Sequence, residues 1–376
     1  MTYWSTKPRI NGIFKGLASA SGKIGGFKYV GLWPNGPQVP DVEMAQAVGS
    51  ATKRSKSPLK RWFLQMQSNW AHHVFRRDDR VVFMVWNGIK GHRFLLAEAA
   101  KHLGQSVVYL EEAPLPGRLT IDFQGVNYGC SLPRDVAFYR TWADQTNADL
   151  TSWRKLGQGI VARKAVVRTD VGQIDADLSG ENFIFVPLQV PGDSQITVYG
   201  DWIESVDAMI DHLKTASEAL PDGWHLRIKE HPSSRISFGD KLSRCASDKF
   251  RVDNASNTFA QVAASGGVLN VNSSVGLQSF YFDKPVIVLG HAFYGFDDLT
   301  IKAHSPEHLG ELLSKPDTLS FNAEARDAFM SYLDQEYFPL ENDVVEGRFT
   351  IQSAVARDQR RDRILAMLKD QAISRG

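Results

Sequence analysis

Short apolar runs, each closed by a turn-forming or polar cluster, recur along the chain. The run over 81–86, Val-Val-Phe-Met-Val-Trp, has the character of a buried strand and passes into Asn87-Gly88. A helical pattern over 93–103 ends at Gly104, and 107–110 is the next apolar run. Strand, glycine turn, helix, glycine cap and strand in that order predict a βαβ unit, the crossover that parallel strands require. Beyond residue 180 the alternation returns. Runs at 183–186, 224–229, 250–252, 267–271 and 286–289 read as strands, with helical segments at 196–213, 257–264 and from Val275. The stretch 157–180 is polar and loop-prone, a natural linker. The pattern therefore predicts an α/β protein of two Rossmann-like domains with a cleft between them.

Outside this frame the pattern is weaker. Residues 1–40 are rich in glycine and aromatics, and 41–75 turn helical. Alternation over 119–128 with a Gln-Gly turn predicts a small hairpin. The segment 353–368 sets Arg357, Arg360, Arg361 and Arg363 beside Ile364, Leu365 and Leu368. It reads as an amphipathic helix, packed across the domains or touching a membrane surface. The expected division is 1–80, a basic region joined to the N-terminal half; 81–172, an N-terminal Rossmann-like domain; 173–335, a C-terminal Rossmann-like domain; and 336–376, a helical tail.

The length of 376 residues and the 43% hydrophobic content fit two domains with ample core. The opening MTYWSTKPRINGIF lacks a signal-peptide pattern, and Cys130 and Cys245 form no C-x-x-C. The expectation is a cytoplasmic protein, with peripheral contact at the inner membrane face left open. A net charge of +1 hides an uneven distribution. Between Met1 and Trp62 stand Lys7, Arg9, Lys15, Lys23, Lys28, Lys53, Arg54, Lys56, Lys60 and Arg61, opposed by Asp41 and Glu43. Such a region suits phosphates, anionic lipid or an acidic glycan, or is a solvated basic surface. No nucleic-acid-binding motif accompanies it, so nucleic acid is not an expected partner.

Candidate chemistry gathers where strands end, because ligands of open α/β sheets lie there. After the 183–186 run, Pro187 and Pro191-Gly192 force a bend that delivers Asp193, either for chemistry or as the cap of the following helix. Glu111 and Glu112 follow the 107–110 run beside prolines, where a solvated loop is the plainer reading. Asn272-Ser273-Ser274, at a strand end with a helix beginning directly after, is suited to an anion or serves only as a cap. His231, fixed by Pro232 and close to Lys229, is suited to a phosphate or is structural. The glycines of the 87–91 loop admit a substrate to backbone N–H groups, or simply make a tight turn. GKIGG at 22–26 lacks P-loop spacing, Asp175-Ala176-Asp177 has no strand before it, and His304 with His308 lacks a third ligand. No metal site is expected.

Six motifs in order resemble a known family. They are E-x-x-x-L-P from Glu111, I-D-x-x-G-V-N-Y from Ile121, S-L-P-R-D-x-x-F-Y from Ser131, P-L-Q-V-x-G-D-S-Q from Pro187, K-x-H-P from Lys229 and V-N-S-S-V-G-L-Q from Val271. Together they resemble the bacterial capsule polysaccharide biosynthesis proteins, the capsule-type retaining β-Kdo glycosyltransferases, over roughly residues 81–299. The resemblance implies a GT-B fold and transfer of Kdo, an acidic eight-carbon ketose, from CMP-β-Kdo to a glycan or glycolipid in capsule or O-antigen assembly. Asp193 matches the family's nucleophile, Glu111 an active-site acid, His231 the H-P motif, and Ser273 with Ser274 the serines that hold the CMP phosphate. The catalytic residues expected are thus Asp193, Glu111 and His231. Donor contacts are expected from Gln189, Lys229, His231, Asn272, Ser273 and Ser274. This sequence departs from the family pattern at Ala113-Pro114 and at Glu230, which puts negative charge near the expected phosphate site. Double displacement needs two carboxylates about 5 Å apart, by analogy with retaining glycosidases, and a monophosphate leaving group with cationic donors needs no metal. The alternatives are a GT-B transferase with another sugar nucleotide, inverting with Asp193 as base, or a non-catalytic glycan- or membrane-binding component of a capsule export assembly.

Overall fold

The computed structural model describes residues 1–5, 7–21, 25–27, 29–49, 57–77, 82–162 and 168–373. Most of the 22–26 glycine stretch, together with Lys23, Lys28, Lys53, Arg54, Lys56 and part of the expected linker, lies outside the described residues. The chain forms two compact units, one of Met1–Pro133, Ala137–Leu150 and Phe329–Gly376, the other of Arg134–Val136 and Thr151–Ala328. It passes into the second unit near residue 151, earlier than the expected 172/173 boundary. Its last segment returns to the first unit instead of standing as a separate tail.

The first unit is a five-stranded sheet of β1 (Thr2–Trp4), β2 (Gly25–Phe27), β3 (Val82–Trp86), β4 (Ser106–Glu112) and β5 (Leu119–Asp122), in the order β2-β1-β3-β4-β5. All neighbours are parallel except β4 and β5. Helices α1 (Pro8–Leu17), α2 (Asp41–Val48), α3 (Pro58–Phe75) and α4 (Gly91–His102) accompany it. The first eighty residues therefore supply two strands of the sheet. The expected 119–128 hairpin is replaced by one between β4 and β5, with Glu111 opposite Thr120. Residues 127–129 instead form a helical turn, because Asp122 turns the chain by accepting the N–H groups of Gln124 and Gly125 at 2.7 and 3.0 Å. The adjacent acids are accordingly the end of a strand, where alternation sends Glu111 and Glu112 to opposite faces.

Of the four arginines on the C-terminal helix Ile351–Ile373, two turn inward while Arg360 and Arg363 stay exposed. Arg357 and Arg361 are buried, donating to the Tyr337 carbonyl and to Ser131 Oγ within the first unit, with Asp358 as their shared counter-charge. Each guanidinium thus ends on a fixed acceptor, as a buried cation must.

The second unit is an all-parallel sheet of β6 (Asn182–Pro187), β7 (Trp224–Lys229), β8 (Phe250–Val252), β9 (Gly267–Asn270), β10 (Val286–Val288) and β11 (Ile301–Lys302). Its order, β11-β10-β9-β6-β7-β8, is the doubly wound Rossmann arrangement. Phe183–Val186 are fully buried, as strands covered on both faces require. The chain leaves β6 toward β7 and later returns to β9 on the other side. Between β6 and β9 the winding reverses, and the crevice outside their carboxyl ends is the expected ligand position.

His225, the second residue of β7, is 1% exposed and stacks on Phe183 at 5.6 Å. Burial, with help from Arg251, pushes its pKa down to about 4. From pH 6.5 to 4 the unfolded chain binds a proton that the folded chain refuses, so stability falls as pH drops through this window. His225→Phe is expected to flatten the fall in thermal midpoint between these pH values. Parallel slopes for the two proteins would assign the acid sensitivity to another group.

Candidate functional site

At the winding reversal, Gln189 and Asn272 bind each other reciprocally. Gln189 Nε2 donates to Asn272 Oδ1 at 3.0 Å, and the Asn272 N–H donates to Gln189 Oε1 at 3.2 Å. Asn272 Nδ2 also faces the carbonyls of Gln195, Tyr199 and His291 at 2.7, 3.1 and 3.2 Å. One buried amide thus ties the loops after β6, β9 and β10 together. Gln189 and Asn272, expected to contact the donor, are buried and bound to each other and to neighbouring carbonyls, so they build the scaffold of the site.

Asp193 stands on the loop so held. Gly192 takes φ 76°, a bend open to glycine, and Asp193 then caps the one-turn helix Ser194–Thr197. The helix expected over 196–213 is divided into this turn and Val206–Ser217. The carboxylate accepts from Gln195 N–H at 3.1 Å and Ser194 Oγ at 3.2 Å, both on Oδ1. Capping and chemistry are compatible in this geometry, since the cap fixes one oxygen and orients the other.

Ser273 caps the helix Ser274–Gln278, its Oγ accepting from Val275 N–H at 3.2 Å, while Ser274 is exposed. Beneath them Asn270 Oδ1 accepts from the Ser273 N–H at 2.6 Å, and the buried Tyr294 hydroxyl lies against Asn270 and the Ser273 carbonyl. A Cβ on Gly276 would stand 2.3 Å from that hydroxyl, so only glycine fits. His231 Nδ1 accepts from Ser233 N–H at 3.0 Å, which places the proton of the neutral ring on Nε2.

Lys229 does not serve a phosphate. It is 2% exposed, and Nζ donates to the carbonyls of Gly172, Asn254 and Ser256 at 2.9, 2.8 and 2.7 Å, using all three N–H bonds. Burial lowers its pKa to about 8. Glu230 is likewise turned inward, paired with Arg168 at 2.8 Å and accepting from Phe238 N–H and Asn254 Nδ2. Its negative charge is therefore neutralised within the protein. Asp177 is exposed and accepts from Ser179, and the D-x-D pair joins no site.

In the first unit, Glu111 is held by two asparagines. Asn87 Nδ2 donates to Oε1 at 2.7 Å and Asn127 Nδ2 to Oε2 at 2.9 Å. Both take left-handed backbone, φ 66° and 55°, which asparagine tolerates better than most residues. Arg93, on the first turn of α4, adds positive charge felt by Glu111. The sequence reading missed Asn87, Asn127 and His291, although Asn before Gly at a strand end was a usable signal for Asn87. Among the described residues one group could hold a metal, Glu43, Glu98 and His102. It is already balanced by ion pairs of His102 with Glu43 at 3.2 Å and Lys101 with Glu98 at 2.9 Å.

Two Rossmann-like units in one chain define the GT-B fold class. The chain superposes on the β-Kdo 2,7 transferase of Thermosulfurimonas dismutans KpsC with a TM-score of 0.51 and 13% identity, over 92% of this chain and 97% of that one, a likeness of fold. Residues 161–333 match the family described as capsule polysaccharide biosynthesis protein, in agreement with the motif resemblance over that part of the chain. Protein FixF of Sinorhizobium fredii is 29% identical over 279 residues, 74% of this chain and 64% of FixF. Capsule polysaccharide modification protein LipB of Neisseria meningitidis serogroup B is 29% identical over 136 residues, 34% of this chain and 32% of LipB. The chain thus spans less than two thirds of either relative.

Lys229→Met is expected to destabilise the fold by about 3 kcal/mol or more, since buried carbonyls lose a charged donor. Thermal unfolding checks this. An unchanged midpoint would show that Lys229 has no such structural role.

Proposed function

We propose that this protein is a retaining β-Kdo glycosyltransferase acting on CMP-β-Kdo in capsule or O-antigen polysaccharide assembly. The observation that carries the reading is Asp193, presented at the winding reversal of a Rossmann sheet on a loop that Asn272 ties to the Ser273 turn. Asp193 attacks the anomeric carbon of Kdo through the oxygen its cap leaves available, and the bond to the CMP phosphate breaks. Ser273, Ser274 and the Nε2–H of His231 donate to the phosphate as it gains charge, stabilisation placed where the transition state needs it. An acceptor hydroxyl of a glycan or glycolipid then gives its proton to Glu111 and displaces Asp193 from the opposite face. Two inversions give retention. Asn87 and Asn127 keep the Glu111 carboxylate oriented for that proton.

No divalent metal enters this sequence, because protein donors meet the phosphate charge. Turnover is accordingly expected to be unchanged by a chelator.

Asp193→Asn is expected to lower turnover by roughly three orders of magnitude or more while leaving the thermal midpoint in place. CMP release from CMP-Kdo reads the first, and NMR of the product reads its anomeric configuration. An inverted product would assign Asp193 as a base, and near-normal rates would leave it a helix cap. Asn87→Ala is expected to cut kcat by about tenfold or more through a lost charged hydrogen bond worth roughly 1.5–3 kcal/mol, with KM for the donor little changed. A change confined to KM would place Asn87 in binding instead.

A further inference from the structure

The turn after β5 is built on one buried carboxylate. Asp122 is fully buried, and the loop 123–130 leaves it and comes back to it. On the way out, Oδ1 accepts the N–H groups of Gln124 and Gly125. On the way back, Oδ2 accepts the Ser131 N–H at 2.9 Å and the Ser131 hydroxyl at 2.5 Å. Between these ends the loop is tight. A Cβ on Gly125 would stand 2.6 Å from the Gly129 carbonyl oxygen, and Val126 and Cys130 are buried. A compact loop whose ends meet behaves as one piece. This piece carries Asn127, whose amide grips Glu111 at 2.9 Å.

A remote part of the chain completes the carboxylate. The Tyr337 hydroxyl, itself buried, donates to Asp122 Oδ2 at 2.7 Å. Burial, with the Asp122 charge beside it, holds Tyr337 well above the usual phenol value, so its proton stays in place to be donated. Tyr337 ends a single wide helical turn, Leu333–Tyr337, in which the Phe338 N–H reaches back to the Leu333 carbonyl at 3.0 Å. Turns of this kind are rare and gather at functional sites. Arginines meet its carbonyls. Arg118 donates to those of Asp334 and Phe338, both at 2.7 Å, and Arg357 to that of Tyr337 at 3.2 Å. Arg361 donates to Ser131 Oγ, at the returning end of the loop. The wide turn is thus pinned independently of the loop that it steadies.

We propose that Tyr337 and Asp122 are positioning residues for Glu111, acting through Asn127. Tyr337 fixes the Asp122 carboxylate, Asp122 fixes both ends of the loop, and the loop keeps the Asn127 amide on Glu111 Oε2. Without the hydroxyl, the buried carboxylate keeps its bonds to the loop, and the two can shift together. The proposal rests on the reading of Glu111 as the group that takes the acceptor proton. It adds to that reading a residue 215 positions beyond Asp122 in the chain.

Asp122→Asn would undo the turn itself, so Tyr337→Phe, which keeps the ring and removes one hydroxyl, is the sharper probe. In transfer from CMP-Kdo, its kcat is expected to fall about tenfold, with KM for CMP-Kdo changed by less than about twofold. Asn127→Ala is expected to cause a similar fall. The double variant is expected to fall no further, since both changes break one chain of contacts. Losses that multiply to about a hundredfold would overturn the proposal, because they would mark independent sites. The second readout needs no substrate. In protein carrying isotope-labelled asparagine, the Asn127 side-chain amide signal is assigned by its loss in Asn127→Ala. Tyr337→Phe is expected to move that signal toward the position of a solvated amide. An unmoved signal would overturn the proposal as well. A parent that releases no CMP from CMP-Kdo, with the signal moved in Tyr337→Phe, would refute the assigned reaction while upholding the chain of contacts.

Discussion

The exchange between Gln189 and Asn272 is the constraint on which the candidate site depends. Strands β6 and β9 are neighbours at the one place in the sheet where the winding reverses, so the loops leaving them diverge and open a crevice. Left alone, two such loops would be mobile, and an aspartate on one would hold no fixed relation to serines on the other. A reciprocal pair of amide hydrogen bonds, with the rest of Asn272 spent on carbonyls from the β6 and β10 loops, removes that freedom. Buried amides are worth little net stability while satisfied and cost a good deal when half satisfied. The site is therefore held in place by a buried polar scaffold.

The same logic recurs in the first unit at smaller scale. Glu111 ends a strand and is gripped from two sides by asparagines whose left-handed backbone aims their amides at it. Asp193 and Glu111 are thus both carboxylates oriented by neutral donors, with Arg93 adding positive charge near Glu111. A neighbouring cation would compete with an electrophilic sugar carbon for the carboxylate's charge. A neutral donor holds its position and leaves most of the charge available.

Much of the second unit was legible in the sequence. Runs such as Phe183–Val186 and Trp224–Lys229 are continuous and buried on both faces, which periodicity detects well. Thr2–Trp4 and Gly25–Phe27 were invisible because three-residue strands, one with two glycines, carry no period of their own and exist through their neighbours. Site residues followed a different rule. Positions were readable, since strand ends and turns are written in proline and glycine, but orientations were not. Lys229 and His231 stand two residues apart at one strand end, yet the lysine turns inward to three carbonyls while the histidine stays half-exposed. Arg357 and Arg361 read as the polar face of a helix and prove to be its buried side. Charge in a sequence states what a residue can neutralise, and packing decides which partner it meets.

The central claim is covalent: Asp193 carries the sugar between donor and acceptor. The most direct measurement is the intact mass of the Glu111→Gln protein after incubation with CMP-Kdo, followed by peptide mapping. The account predicts a gain of one Kdo residue, released CMP, and the modification on the peptide containing Asp193. Transfer of sugar with no adduct, or an adduct on a residue other than Asp193, would contradict it.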